Sequence, residues 1–179
     1  MAEGRMELEA KVAVEDLGVV AERLAALGAR RVGRWRETDR FFDFSDGRLK
    51  ESDSALRLRE RVEVDGERRW RRLTFKGPRV AGRLKHRREI ELEVGDLDAL
   101  GELLEALGLR EFAAYTKGRT TYELDGCDVE LDELEGIGRF VEVEGASEEA
   151  IEGVLGKMGL GGQPTITESY LAMVLRERL

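Results

Sequence analysis

One cysteine, one histidine and two prolines in 179 residues remove several kinds of protein from consideration. A single thiol, Cys127, cannot build a disulfide framework, and with His86 as the one imidazole no Cys/His zinc site can be assembled. Nor can a nucleophile–histidine–acid set, so His86 reads as a solvated strand residue and Cys127 as packing. The scarcity of proline and the lack of any Ser- or Pro-rich stretch give no place for a boundary. Residues 1–179 therefore read as one domain, long enough to bury a core unaided. No run of about 18 apolar residues occurs, and no basic segment leads into a short apolar one. The expectation is a cytoplasmic protein that binds no membrane. No G-x-x-x-x-G-K-[ST] segment is present, which excludes a phosphate loop of that kind. Aromatic residues are only 6% of the chain, and Trp35 and Trp70, though able to stack on a base, read more simply as packing.

Charge is what the chain has in excess: 38% of residues are Asp, Glu, Lys or Arg, against about 25% in an average globular protein. The net charge of −8 argues against a general DNA-binding surface but leaves room for a local basic pocket. Helical periodicity with acidic or capping starts and glycine stops predicts helices over Asp16–Leu27, Leu97–Leu107 and Ser147–Met158, with a shorter one after Thr167. Period-two alternation predicts strands at Arg5–Val14, Arg40–Phe44, Ala55–Val64, Arg68–Lys76, Leu84–Val94, Ala114–Leu124, Cys127–Leu134 and Arg139–Gly145. Asp65-Gly66 and Asp125-Gly126 each separate two such runs, which signals hairpins and antiparallel pairing. A pattern of E-x-E strand, helix, glycine and threonine recurs at Glu7/Glu9, Glu91/Glu93 and Glu142/Glu144, and reads equally as a threefold repeat or as chance likeness among amphipathic elements. The expected architecture is α+β: about eight antiparallel strands in a curved or closed sheet, with helices packed outside.

Within the strands, charged residues alternate with apolar ones. Glu7, Glu9 and Lys11 share a face, as do Arg57, Arg59 and Arg61; Glu89, Glu91 and Glu93; Lys117 and Arg119; Glu130 and Asp132; Glu142 and Glu144. An open sheet with one wet face explains any single strand of this kind. Taken together, the strands are nearly saturated with carboxylates and basic groups, and the signs are sorted by strand. Like charges two residues apart repel unless a counter-ion stands between them. Clustered carboxylates suit Mg²⁺ or Mn²⁺, and clustered Arg and Lys suit phosphate oxygens. A closed sheet needing both is a site for a metal-bound polyphosphate.

These residues also resemble a known family. Glu7-Leu-Glu9-Ala-Lys11 is similar to the E-x-E-x-K signature of the CYTH superfamily, the triphosphate tunnel metalloenzymes. The likeness continues in order through Asp39-Arg40-Phe41-Phe42-Asp43, Leu56-Arg57-Leu58-Arg59, Thr74-Phe75-Lys76-Gly77-Pro78 and Arg87-Arg88-Glu89-Ile90-Glu91. It closes with Lys117-Gly118-Arg119, Asp132-Glu133 and Gly136-Ile137-Gly138-Arg139-Phe140-Val141-Glu142-Val143-Glu144. Phe42 departs from the pattern, in which tyrosine is common. The resemblance implies a charged tunnel with Mg²⁺ or Mn²⁺ held by Glu7, Glu9, Asp132, Glu142 and Glu144, with Glu89 and Glu91 as further candidates. It implies triphosphate binding by Lys11, Arg57, Arg59, Lys76, Arg87, Lys117 and Arg119, and a catalytic role for Glu7, Glu9 and Lys11. The terminal Glu168-Ser169-Tyr170-Leu171 looks most like the class IV adenylyl cyclase branch, which implies conversion of ATP to 3′,5′-cyclic AMP and pyrophosphate. The alternatives are hydrolysis of tripolyphosphate, thiamine triphosphate or a nucleoside triphosphate, and a non-catalytic sensor of such compounds. Symmetric dimers being the commonest oligomers, a homodimer is the default expectation.

Overall fold

The computed structural model describes residues 5–80 and 85–177, with the backbone alone at 5–7, 80, 85 and 86. β1 (Arg5–Val14) leads through α1 (Leu17–Ala26) into β2 (Arg30–Phe44), the short α2 (Arg48–Glu51), β3 (Ala55–Glu63) and β4 (Arg69–Val80). β5 (Lys85–Glu93) leads through α3 (Leu97–Ala106) into β6 (Leu109–Leu124), β7 (Cys127–Leu134) and β8 (Gly138–Glu144), followed by α4 (Glu148–Lys157) and α5 (Tyr170–Glu177). The helix starts are set by side-chain caps: Asp16 accepts from Gly18 N–H, Asp96 from Asp98 and Ala99, and Ser147 from Ala150. At the β6–β7 turn Asp125 and Gly126 have φ of 52° and 79°, the left-handed pair that a two-residue hairpin requires. No helix among the described residues is long and apolar enough to cross a membrane.

All eight strands pair antiparallel into a closed barrel in the order β1-β5-β4-β3-β2-β6-β7-β8. Strand–helix–strand–hairpin–hairpin occurs twice, so that exchanging β1–β4 with β5–β8 reproduces the same cyclic order. The internal repeat is thus twofold in topology. The third predicted copy is β8 with α4, which lies outside that symmetry. Closure depends on β1, whose first half (Arg5–Glu9) pairs with β5 and whose second half (Glu9–Val14) pairs with β8.

β2 begins ten residues before the predicted Arg40, and α2 was not anticipated. Five arginines between Arg30 and Arg40 mask the alternation there, although Trp35, Glu37, Asp39 and Phe41 all point inward and are buried. β6 likewise begins at Leu109 rather than Ala114.

The apolar faces of β1, β7 and β8 (Ala10, Val12, Val129, Leu131, Val141, Val143) pack against Val20 and Leu24 of α1 and Ile151, Val154 and Leu155 of α4. Each Val, Leu or Ile among them contributes about 1.5–3 kcal/mol when fully buried. α3 covers Phe42 and Leu58 through Leu104. α5 brings Tyr170, Met173 and Val174 against Leu134 and Phe140. With most apolar faces turned outward under helices, the alternate residues of the strands are left to line the barrel, and charged residues predominate among them.

Candidate active site

The barrel encloses a cavity of about 950 Å³. Its wall is laid out in layers by the β3–β2–β6 ladder: Glu37 faces Arg61 and Lys117, Asp39 faces Arg59 and Tyr115, and Phe41 faces Arg57 and Ala113. Acidic β2 thus stands between basic β3 and basic β6, and β6 adjoins acidic β7. Neighbouring strands of opposite sign supply the counter-charge that the sign-sorted sequence demands, in addition to any bound ion.

Arg59 grips Asp39 with two bonds, Nε at 2.6 Å and Nη2 at 2.7 Å, and reaches Glu37 with Nη1 at 3.0 Å. Arg119 bonds Asp132 through Nε at 2.6 Å and Glu142 through Nη2 at 2.7 Å, and also pairs with Glu130. Lys117 lies 2.9 Å from Asp132 and 3.4 Å from Glu37. Burial alone would raise the Glu37 carboxyl, but Arg59, Arg119, Lys117 and Arg61 outweigh it and hold it well below the usual carboxylate range. Burial also opposes the charge on Asp39, yet Arg59 and Arg57 bring it down to about 2. Burial raises Glu130 despite Arg119 beside it. The Tyr115 and Tyr170 phenols are pushed well up, by burial first and then by Asp39 and Glu142 respectively, so both remain protonated donors. The result is a preorganised wall in which Arg59, Lys117 and Arg119 are fixed before any ligand arrives.

All seven side chains that the resemblance assigns to triphosphate line this one cavity: Lys11, Arg57, Arg59, Lys76, Arg87, Lys117 and Arg119. They differ in how they are held. Lys76 pairs with Glu89, and Arg87 stands at the rim, 4.0 Å from Asp53. Arg57 is held loosely. It donates a long bond, 3.4 Å, to Thr74 and stands 3.9 Å from Asp39, and among the described residues its buried Nε has no hydrogen-bond partner.

Of the expected metal ligands, Glu9, Glu89, Glu91, Glu142 and Glu144 also line the cavity. The side chain of Glu7, like that of His86, lies outside the described residues. Asp132 is fully buried behind the wall, with its carboxylate engaged by Lys117 and Arg119. Glu91 accepts from Thr74 and Arg72 at 3.2 and 3.1 Å. No three His, Cys, Asp or Glu side chains among the described residues converge as a metal cage. Glu9 and Glu144, however, are direct cross-strand partners. Two carboxylates so placed repel, and they suit a hard dication, because Mg²⁺ is commonly held by one or two carboxylates with phosphate oxygens and water completing its shell. The donor set therefore fits Mg²⁺ or Mn²⁺ bound jointly with a phosphate ligand.

Sequence reasoning missed Glu37, the most connected carboxylate of the wall, and Tyr115. Glu37 sits two residues before Asp39 on the same strand face, a signal hidden by the late start assigned to β2. Asp43, the last residue of the D-x-F-F-D segment, accepts from the Phe44, Leu49 and Lys50 N–H groups and so fixes the α2 loop at the cavity rim.

Comparison with known proteins agrees with this geometry. The CYTH domain model matches residues 5–154. A Methanocaldococcus jannaschii protein, MJ0240, which carries the adenylate cyclase name provisionally, is 32% identical over 139 residues, 78% of this chain and 76% of its own length. Adenylate cyclase CyaB of Aeromonas hydrophila is 30% identical over 142 residues, 79% of this chain and 69% of its own. Among solved structures, PH1819 from Pyrococcus horikoshii OT3 superposes with a TM-score of 0.83 at 29% identity, covering 96% of this chain and 99% of that one. HpAC1 from Hippeastrum, an adenylyl cyclase candidate described as having a dominant triphosphatase activity, shares the fold with a TM-score of 0.72 at 22% identity, covering 97% of each chain. With the barrel, its charged lining and a family match over most of its length, the chain belongs to the CYTH family.

Proposed function

We propose that this chain is a Mg²⁺- or Mn²⁺-dependent enzyme that binds ATP inside the barrel and converts it to 3′,5′-cyclic AMP and pyrophosphate. The observation that carries the reading is the convergence of basic side chains from β1, β3, β4, β5 and β6 on one cavity that also holds the paired carboxylates Glu9 and Glu144. The metal, held by those two with Glu142 one inward-facing position along β8 from Glu144, would offset phosphate charge and orient the triphosphate. Arg59, Lys117 and Arg119, immobilised by Glu37, Asp39 and Asp132, present fixed positive charge to the phosphate chain. Arg57 brings an unspent donor, suited to an oxygen that gains charge as the α-phosphorus is attacked. Cyclisation further requires the base to be held so that the ribose 3′-oxygen reaches that phosphorus. Apolar surface for a base is present in the same cavity: Trp35 and Trp70 meet edge to face at 4.7 Å, and Phe41 stacks on Tyr115 at 5.7 Å.

Hydrolysis of a triphosphate is the second reading. It is favoured by the triphosphatase activity described for HpAC1, a protein of the same fold that also bears a cyclase name. The two part on products. The protein is incubated with ATP and Mn²⁺, and separately with tripolyphosphate and Mn²⁺. Cyclic AMP with equimolar pyrophosphate is the expected outcome. Orthophosphate released faster from tripolyphosphate than from ATP, with no cyclic product, replaces the cyclase reading by the hydrolase one.

A further inference from the structure

Lys11 is tied to the C-terminal segment twice. Its carbonyl accepts from the Ile166 N–H at 2.8 Å, and its ammonium donates to the Glu168 carbonyl at 2.9 Å. This strap delivers Tyr170, the first residue of α5, to the cavity wall. There the Lys11 Nζ stands 3.7 Å from the centre of the Tyr170 ring and the Lys117 Nζ 4.7 Å, both within cation–π range. One phenol thus touches both lysines that the triphosphate reading places against the substrate, although they come from strands that are not neighbours in the barrel.

The hydroxyl of Tyr170 is the unexplained group. The residue is 6% exposed, and among the described residues the hydroxyl has no hydrogen-bond partner. Asp132 acts on it electrostatically and as a weak acceptor outside normal hydrogen-bond geometry, and that carboxylate already accepts from Lys117 and Arg119. Buried tyrosine hydroxyls ordinarily have an acceptor. An anion bridging Lys11 and Lys117 would bring one beside the ring that both lysines contact.

We propose that Tyr170 is a substrate-contacting residue: its hydroxyl donates to an oxygen of the anion that Lys11 and Lys117 bind. α5 then contributes to the binding site as well as covering the barrel end. The proposal rests on the triphosphate reading and adds to it a donor from an element outside the strands. It also gives Lys11 two tasks, since the ammonium that faces the anion holds the strap that brings the phenol in.

The test titrates the full chain with tripolyphosphate in Mg²⁺ by calorimetry, alongside Tyr170→Phe and Tyr170→Leu. Tyr170→Phe keeps the ring under both lysines and removes only the donor, so affinity is expected to fall about tenfold with the melting temperature unchanged or raised. Tyr170→Leu also removes the ring and is expected to bind more weakly still. A Phe variant within about twofold of the parent overturns the assignment, as does a lowered melting temperature with unchanged affinity, the mark of a purely structural residue. A parent protein that binds no tripolyphosphate overturns the triphosphate reading itself, which separates the two failures. If the variants do not fold, fluorotyrosine placed at position 170 retains ring and hydroxyl. Its ¹⁹F resonance is expected to move on adding tripolyphosphate, and a resonance that stays in place overturns the proposal.

Discussion

Asp132→Asn keeps the shape of a side chain that has no exposed surface and removes one charge from the most crowded part of the barrel wall. The carboxylate accepts from Lys117 Nζ at 2.9 Å and from Arg119 Nε at 2.6 Å, with a further bond from Arg119 Nη2. After the substitution both cations stay buried, at 2% and 6% exposure. Lys117 keeps Glu37 at 3.4 Å, and Arg119 keeps Glu142 at 2.7 Å together with Glu130. Deleting one partner of a buried pair costs about 3–5 kcal/mol, and the retained carboxylates put this case near about 3 kcal/mol. In a chain of this size each kcal/mol moves the melting temperature by about 2–4 °C, so a fall of roughly 6–12 °C is expected. The melts are run with chelator and again with Mg²⁺, because a structural carboxylate and a metal ligand behave differently. A structural Asp132 gives the same loss in both conditions. A fall under about 2 °C, or one that appears only when metal is present, would refute the structural role and return Asp132 to the metal site.

Acid should unfold the barrel through Asp39. Its folded value of about 2 lies below the ordinary 3.8, so its contribution is complete above that ordinary value and is lost as pH falls toward 2. The loss is about 2 kcal/mol, and a urea midpoint that stays flat across that window contradicts it. Glu9→Gln keeps shape while removing a hard anionic ligand, and is expected to abolish metal-dependent turnover in a product assay at saturating Mn²⁺; full activity there moves the metal site elsewhere. Arg57→Ala is expected to raise KM for the triphosphate roughly tenfold or more, with Arg57→Lys recovering only part because the fork is lost; equal KM values for all three proteins remove Arg57 from the site. Cys127→Ser, in the outer core with Cys127 1% exposed, is expected to leave turnover unchanged while lowering stability by about 1–3 kcal/mol, checked by urea unfolding; lost turnover in a folded variant contradicts the packing role.

Most of the barrel was legible because its interior is charged and its exterior apolar, so nearly every strand announces itself by strict alternation. The Asp125-Gly126 turn and the caps Asp16, Asp96 and Ser147 then set the boundaries locally. What the alternation could not carry was the first half of β2. Arg30, Arg31, Arg34 and Arg36 are exposed, but they look like the basic residues expected inside, and Glu37 was lost among them. The functions of individual charges were also illegible. Glu130, Asp132 and Glu142 have the same chemistry on paper, and only burial and side-chain bonding in the fold show Asp132 enclosed by Lys117 and Arg119 while Glu142 lines the cavity. Sequence tied Tyr170 to a branch of the family but to no neighbour, because nothing in a one-dimensional pattern brings residue 170 beside residues 11 and 117.

The divided pairing of β1 bears on how the molecule is made. Of the eight strands β1 is made first, yet the partners of its two halves, Lys85–Glu89 and Arg139–Glu144, are synthesised long afterwards. The hairpins β2–β3–β4 and β6–β7–β8 join segments close in sequence and can zip as they emerge. β1 must wait for loops of many tens of residues to close, which is the slow kind of contact in folding. During that wait its apolar face, with Ala10 and Val12, is exposed, and its open edges can pair with another nascent chain. Because Glu9 and Lys11 lie on this same strand, the step that seals the barrel also assembles the site, and a chain stalled before that step carries hairpins but no tunnel.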